Sequence, residues 1–322
     1  MLDHLLVPLN GAPGSESVLP HVRRLARAGV REITLFRAEL PIALDPLNQV
    51  GEAAIGSARE YLLDVRERLA DLKVHCRVVA RIGSPAQAIL EAARDRGATL
   101  IFLATNRRRG LARLLFGSVS KHVIRESPVP VLAVPPEWSY ELAPAVPTDL
   151  RPVREILVPL DQEEDSFQIL PCAIDVARRL HAKIHLLHVL PGGGPRAAPA
   201  DEAEERDVDP PPAAMDAGLE RAFRGAGDRC VEAGVETLSL VRSGEVVPTL
   251  LRVCRERKID WIAMATHGRS GLARWMNGSV TEGMLQGAGI PMLIVRSWVC
   301  GAGRIDRSRP GRSLRPVGGG EA

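Results

Sequence analysis

Two Gly-Ser pairs, Gly117-Ser118 and Gly278-Ser279, are the residues of this chain best placed to hold an anion. Each closes one copy of a repeated phrase, RGLARLLFGSV at 109–119 and SGLARWMNGSV at 270–280. Each copy follows an apolar run ending in Ala-Thr and leads into a helix-like segment. A glycine there lets backbone come close to a ligand. The first N–H groups of the following helix are unpaired and carry the positive end of its dipole. The serine hydroxyl can bond a phosphate oxygen, although Ser is also a common helix cap in any protein. The runs LLVPLN (5–10) and ILVPLD (156–161) are a second duplicated phrase, ending in Asn10 and Asp161.

Other chemistries lack their residues. There is no Gly-x-x-x-x-Gly-Lys-Ser/Thr for a P-loop and no Gly-x-Ser-x-Gly elbow. No His/Cys cluster has metal-ligand spacing, and no nucleophile stands beside an oriented base. His188 reads as a packed histidine on a strand, and His267 as a solvent-facing loop residue. The run Arg107, Arg108, Arg109 reads as a solvated face. A net charge of +3 and an aromatic share of 3% argue against a nucleic-acid partner. No apolar run approaches the ~18–20 residues of a membrane span. The start, MLDHLLVPLN, is too short and too acidic for a signal peptide. Five scattered cysteines without a Cys-x-x-Cys pair predict reduced thiols and a cytoplasmic location.

The elements that must position these residues also come twice. ARIGSP (80–85) matches VRSGEV (241–246), ATLIFLAT (98–105) matches IDWIAMAT (259–266), and VPVLAV (129–134) matches IPMLIV (290–295). Gly278 minus Gly117 gives an offset of 161, against 151 for the first strand. The second copy therefore carries about ten extra residues, assigned to the Pro-, Gly- and acid-rich stretch 191–212, which predicts a mobile loop. Apolar runs predict strands near 4–9, 32–38, 74–80, 98–104 and 130–134, then near 154–160, 183–190, 236–242, 259–265 and 291–295. All read as buried on both faces. Amphipathic spacing predicts helices between them, for example 15–28 and 85–96. Strand alternating with helix implies two doubly wound α/β domains with parallel sheets. Their bounds are 1–137 and 152–297, with a Pro-rich linker at 138–151 and a disordered tail at 298–322. In such sheets ligands bind beyond the carboxyl ends of the strands. There the Asn10 and Asp161 turns, the strand-two ends at Ala38 and Val189, and the Gly-Ser loops should meet.

The phrases ILVPLD, LLHVL, MATHGRSGLARWMNGSV and IPMLIV together resemble the universal stress protein family. The resemblance covers nearly all of both halves and marks a tandem member. It implies five parallel strands per half in the order 3-2-1-4-5. It also implies ATP bound through a Gly-x-x-Gly, nine-residue, Gly-Ser/Thr pattern, with Mg²⁺ where the triphosphate brings it. On half two the pattern falls on Ala265, Gly268, Gly278 and Ser279. Asp161 would hold the ribose side, and the backbone of Val189 would meet the adenine. On half one the positions are Ala104, Arg107, Gly117 and Ser118, with Asn10 for the aspartate and Ala38 for the valine. Arg107 puts bulk where backbone should approach a ligand. Gln162, Glu163 and Glu164 follow Asp161, and carboxylates near a triphosphate repel it unless a cation intervenes or they point away.

The resulting expectation is a regulatory ATP-binding protein whose working site is mainly in half two. A nucleotide-free interaction scaffold and a slow ATP hydrolase stand as alternatives. The resemblance also implies fifth strands paired across a two-fold axis, here as an internal pseudo-dimer that could dimerise further. Gly283 and Gly287, in the helix after Ser279, suggest close packing on a neighbour.

Overall fold

The apolar runs form ten strands, and the amphipathic stretches form the helices between them. The computed structural model describes residues 2–41, 49–105, 117–135, 152–190, 215–266 and 280–296. Half one has β1 (His4–Pro8), β2 (Glu32–Glu39), β3 (His75–Ile82), β4 (Leu100–Ala104) and β5 (Val131–Val134). Its helices are α1 (Pro13–Glu16), α2 (Leu19–Arg27), α3 (Gln49–Arg68), α4 (Pro85–Asp95) and α5 (Ser118–Glu126). Half two has β6 (Glu155–Pro159), β7 (Lys183–Leu190), β8 (Thr237–Ser243), β9 (Trp261–Thr266) and β10 (Met292–Arg296). A 3-10 turn (Glu164–Ile169) precedes α6 (Leu170–Leu180), and α7 (Ala217–Glu232), α8 (Val246–Glu256) and α9 (Val280–Gly287) follow. The stretch 191–212, the tail 298–322 and the linker 138–151 lie outside the described residues.

Each half has the expected order 3-2-1-4-5, with parallel pairing throughout. The two sheets are not separate. β5 pairs antiparallel with β10, giving one sheet of ten strands. Leu132 stands opposite Leu293 in that pairing. They are repeat counterparts at the offset of 161, so a pseudo-two-fold axis passes between them. Helices cover both faces. One core lies under α2, α3 and α6, α7, and the other under α4, α5 and α8, α9.

Three local expectations change. The predicted helix at 15–28 is broken into α1 and α2. Pro20 has no N–H to bond the carbonyl four residues back, and Pro171 forces the same break between the 3-10 turn and α6. The strands β3 and β8 are not buried on both faces, because they are the outer edges of the ten-stranded sheet. Arg77 and Arg81 on β3 suit an edge that must not recruit another strand. Cys76, Cys230 and Cys254 are free thiols, but Cys172 is disulfide-bonded. The expectation of reduced thiols throughout is therefore corrected, since sequence spacing does not say which thiols a fold brings together.

The junction carries two interactions with measurable consequences. Lys121 Nζ lies 3.2 Å from Glu282 Oε1. These two are also repeat counterparts. On a true two-fold axis a residue meets its own copy, and like charges would face each other. Duplication has let the two positions take opposite signs. Lys121→Glu should lower stability by about 0.2–1 kcal/mol, the range for an exposed pair. Adding Glu282→Lys should restore it, as read by thermal melts in low salt.

His21 on α2 is fully buried beside Trp261 of β9, ring centres 6.3 Å apart. Burial, with Arg24 nearby, pushes its pKa down to about 3. The unfolded chain therefore binds a proton below about pH 6.5 that the folded chain refuses. Stability contributed by the neutral ring is complete above that pH and falls as pH drops toward 3. Between pH 7 and pH 5 the loss from this group should be about 2 kcal/mol. Urea denaturation of the native protein and of His21→Leu at both pH values should show a flatter dependence in the variant.

Candidate functional site

The crevice in each half opens where the central strand ends. In half two the last bond from the first strand to the second is Leu160 N–H to Leu187 C=O, 2.9 Å. Half one repeats it from Leu9 to Phe36, 2.8 Å. Backbone groups on a strand alternate between its two neighbours. Lys183 and Leu187 bond toward β6, and Ile184 and Leu190 toward β8. Val189 therefore turns its N–H and C=O to the β6 side, past the point where β6 has ended. An exposed donor and acceptor side by side match the hydrogen-bonding edge of a nucleobase. Ala38 holds the same position on β2.

The turn that follows is built identically in both halves. Asn10 N–H donates to Ser15 Oγ at 3.2 Å, and Asn10 Oδ1 accepts the Ala12 N–H at 2.9 Å. Asp161 N–H donates to Ser166 Oγ at 3.1 Å, and Asp161 Oδ1 accepts the Glu163 N–H at 2.9 Å. Both Asn10 and Asp161 are exposed at the crevice mouth, one neutral and one charged. Ser15 and Ser166 organise these turns and escaped the sequence reading. Their signal was the shared spacing of five residues after Asn10 and Asp161. His188 is buried as expected, and it also shapes the turn. Its Nδ1–H donates to Leu160 C=O at 2.8 Å, fixing the residue before Asp161.

The third side is formed by the fourth strands. Ala104 ends β4 and Ala265 lies one residue before the end of β9, both half-buried. In half one Gly117 caps α5 from an extended conformation, and among the described residues no atom beyond its chain neighbours lies within 4 Å of where a side chain would begin. Ser118 is the exposed first residue of α5. Ser120 Oγ donates to Ala104 C=O at 3.4 Å, tying the helix start to β4. The structure thus brings Asn10, Ala38, Ala104, Gly117 and Ser118 to one end of half one. It brings Asp161, Val189 and Ala265 to the matching end of half two. Arg107, His267, Gly268, Gly278 and Ser279 lie outside the described residues. Among the described residues, no group of His, Cys, Asp or Glu could hold a metal ion. No helix among them is long and apolar enough to cross a membrane.

A fold of order 3-2-1-4-5, repeated and joined through its fifth strands, now meets its sequence relatives. The profile of the universal stress protein family matches residues 1–135 and 152–296. The chain belongs to the universal stress protein family. Single-domain relatives match about half of this chain. Universal stress protein MJ0531 of Methanocaldococcus jannaschii is 26% identical over 143 residues, 44% of this chain and 82% of its own length. Universal stress protein YxiE of Bacillus subtilis is 27% identical over 150 residues, 44% of this chain and 98% of its own. A solved universal stress protein from Archaeoglobus fulgidus is similar across both halves, with a TM-score of 0.71 at 19% identity. It covers 92% of this chain and 99% of that one. That likeness shows the fold.

Half two of this universal stress protein seats α9 on α8 through glycines, where half one carries the small residue on the other helix. A side chain begun at Gly283 would meet the two Val247 methyls at 2.9 and 3.1 Å, and one at Gly287 would meet Leu251 Cδ1 at 2.9 Å. The glycines let α9 lie directly on α8. In half one the counterparts of Gly283 and Val247 are His122 and Ala86, so the small residue has changed sides. Gly→Ala in a helix gains up to about 1 kcal/mol from propensity. Overpacking costs about 1–3 kcal/mol. Val247 is stiff and Leu251 can swing away. Gly283→Ala should therefore destabilise by about 1 kcal/mol and be rescued by Val247→Ala. Gly287→Ala should be neutral or stabilising. Denaturant midpoints of the single and double variants check this.

Proposed function

We propose that half two, residues 152–297, binds ATP as a regulatory ligand, and that half one, residues 1–137, keeps the fold without an equivalent site. The observation that carries the reading is the pairing of an exposed, turn-fixed Asp161 carboxylate with the open backbone edge of Val189. A carboxylate accepts from ribose hydroxyls, and a paired N–H and C=O suit an adenine edge. Ala265 lies at the end of the neighbouring strand, and Gly268, Gly278 and Ser279 complete the family pattern in sequence. Those glycines and the start of α9 would supply the phosphate contacts, with Mg²⁺ accompanying the triphosphate. Glu164 lines a groove beside α7, which suits the requirement that it point away from the phosphates. The weaker second set, Asn10, Ala38, Ala104, Gly117 and Ser118, lacks the carboxylate and meets Arg107 in sequence.

A regulatory ligand acts through its differential affinity for two conformations or assemblies, and needs no turnover. The fifth strands already pair within the chain, so self-association would need another surface.

Calorimetric titration of the full chain with ATP and Mg²⁺ should give one site per chain. Asp161→Ala should weaken it about 10–100-fold, the range for a charge-assisted hydrogen bond. Gly278→Val should weaken it too, and Asn10→Ala should leave it unchanged. No heat at high micromolar nucleotide would overturn the reading and leave the interaction scaffold.

A further inference from the structure

Half two contains a groove that half one fills with its own side chains. The groove lies between the 3-10 turn and α7, has a volume of about 610 Å³, and is lined by Gln162, Glu164, Phe167, Leu219, Ala222 and Arg229 among others. Buried residues fix the correspondence between the halves. Ala58, Leu62, Val65 and Leu69 match Leu219, Phe223, Ala226 and Cys230 at 161, and the turn serines Ser15 and Ser166 match at 151. Tyr61 therefore corresponds to Ala222, Arg68 to Arg229, and Glu16 to Phe167.

In half one these residues form a closed set. The Tyr61 hydroxyl donates to Glu16 Oε1 at 2.9 Å, and Arg68 Nη2 pairs with Glu16 Oε2 at 2.7 Å. The Arg37 guanidinium lies 5.2 Å from the centre of the Tyr61 ring. An aromatic ring and a carboxylate held by an arginine thus fill the space between α1 and α3. Half two deletes the ring at Ala222 and the carboxylate at Phe167, but keeps the cation at Arg229. The hydrogen bond that Arg229 makes to Gly225 C=O, 3.3 Å, uses Nε and not the outer nitrogens. Phe167 supplies apolar surface where half one has the polar Glu16, and Leu219 adds apolar bulk where it has Ala58.

We infer that this groove binds a small aromatic carboxylate, its ring over Ala222 against Phe167 and Leu219 and its carboxylate on Arg229. The ligand replaces what Tyr61 and Glu16 provide in half one. Glu164 and Asp216 also border the groove, and Asp216 Oδ2 is engaged by the N–H groups of Gly218 and Leu219 at 3.1 and 3.4 Å. Their charge opposes any anion, and opposes a phosphate dianion more than a single carboxylate. The groove adjoins the crevice of the nucleotide reading: Gln162 follows Asp161, and Phe167 packs on the same core as Ala265, while the Val189 side chain packs on the opposite one.

The test is titration of the full chain with 4-hydroxyphenylacetate, followed by calorimetry and saturation-transfer NMR, with and without saturating ATP. Saturable binding in both conditions is expected. Arg229→Gln should weaken it about tenfold or more, as should Ala222→Tyr, which returns the half-one ring to the groove. Both positions are exposed, so the fold should survive, with unchanged melting as the control. Tyramine, with the same ring and the opposite charge, should bind more weakly. Absence of binding, indifference to both substitutions, or tighter binding of tyramine would overturn the inference. Binding that only competes with ATP would place the aromatic ligand in the nucleotide crevice and overturn it as well. Loss of ATP binding in Asp161→Ala leaves this result untouched, so the two readings fail separately.

Discussion

A parallel sheet loses the hydrogen bonds of its central strand where that strand ends and its neighbours run on, and this protein is arranged around that edge. The bonds from Leu9 to Phe36 and from Leu160 to Leu187 are the last between first and second strands. Beyond them the second strand keeps only its outer neighbour, and its next inward-facing backbone groups, at Ala38 and Val189, have no strand to meet. The central strand must turn away to reach its helix, and the Asx-type turns at Asn10 and Asp161 make that possible. Everything offered as a nucleotide site follows from those two facts: an open backbone edge beside a turn with one polar side chain held at its mouth.

Duplication supplied this arrangement twice and then let each copy change against the other. The pair Lys121 and Glu282 shows it at the junction, where a symmetric dimer could offer only like charges. The exchange of His122 and Ala86 for Gly283 and Val247 shows it in a helix contact, with bulk moved from one helix to its neighbour. Tyr61, Glu16 and Arg68 close a space in half one that Ala222, Phe167 and Arg229 leave open in half two. These changes are local because both faces of the sheet are already packed in each half. Each of the two cores runs through both halves, since β5 and β10 pair their edges and His21 of half one packs on Trp261 of half two.

Much of this was legible from residue order. All ten strands fall within about two residues of their apolar runs, and for the eight inner strands the reason is that a strand covered on both faces must be apolar along its length. The faces of α2 and α4 were also readable, since Val18, Val22 and Leu25, like Ile89, Leu90 and Ala93, recur at helical spacing and are buried. The break at Pro20 is readable in principle, because a proline lacks the N–H that a continuous helix needs, but the apolar spacing runs on across it and hides it. The exposure of β3 and β8 was not readable from each run alone, because an edge is defined by which strands lie beside it. For the same reason Ser15, Ser166 and His188 looked ordinary until the turn was built around them.

What the sequence determined by itself was the fold, its duplication, and the asymmetry between Asn10 and Asp161. Periodicity and repeat offset are properties of residue order, and they survive without coordinates. Only the tertiary structure decided the register in which the two sheets join, which side chains of α8 Gly283 and Gly287 meet, and that half two is open where Tyr61 closes half one. Those outcomes depend on residues far apart in the chain meeting within a few ångströms. The chain encodes such meetings through volume and charge at both partners, and neither partner shows them alone.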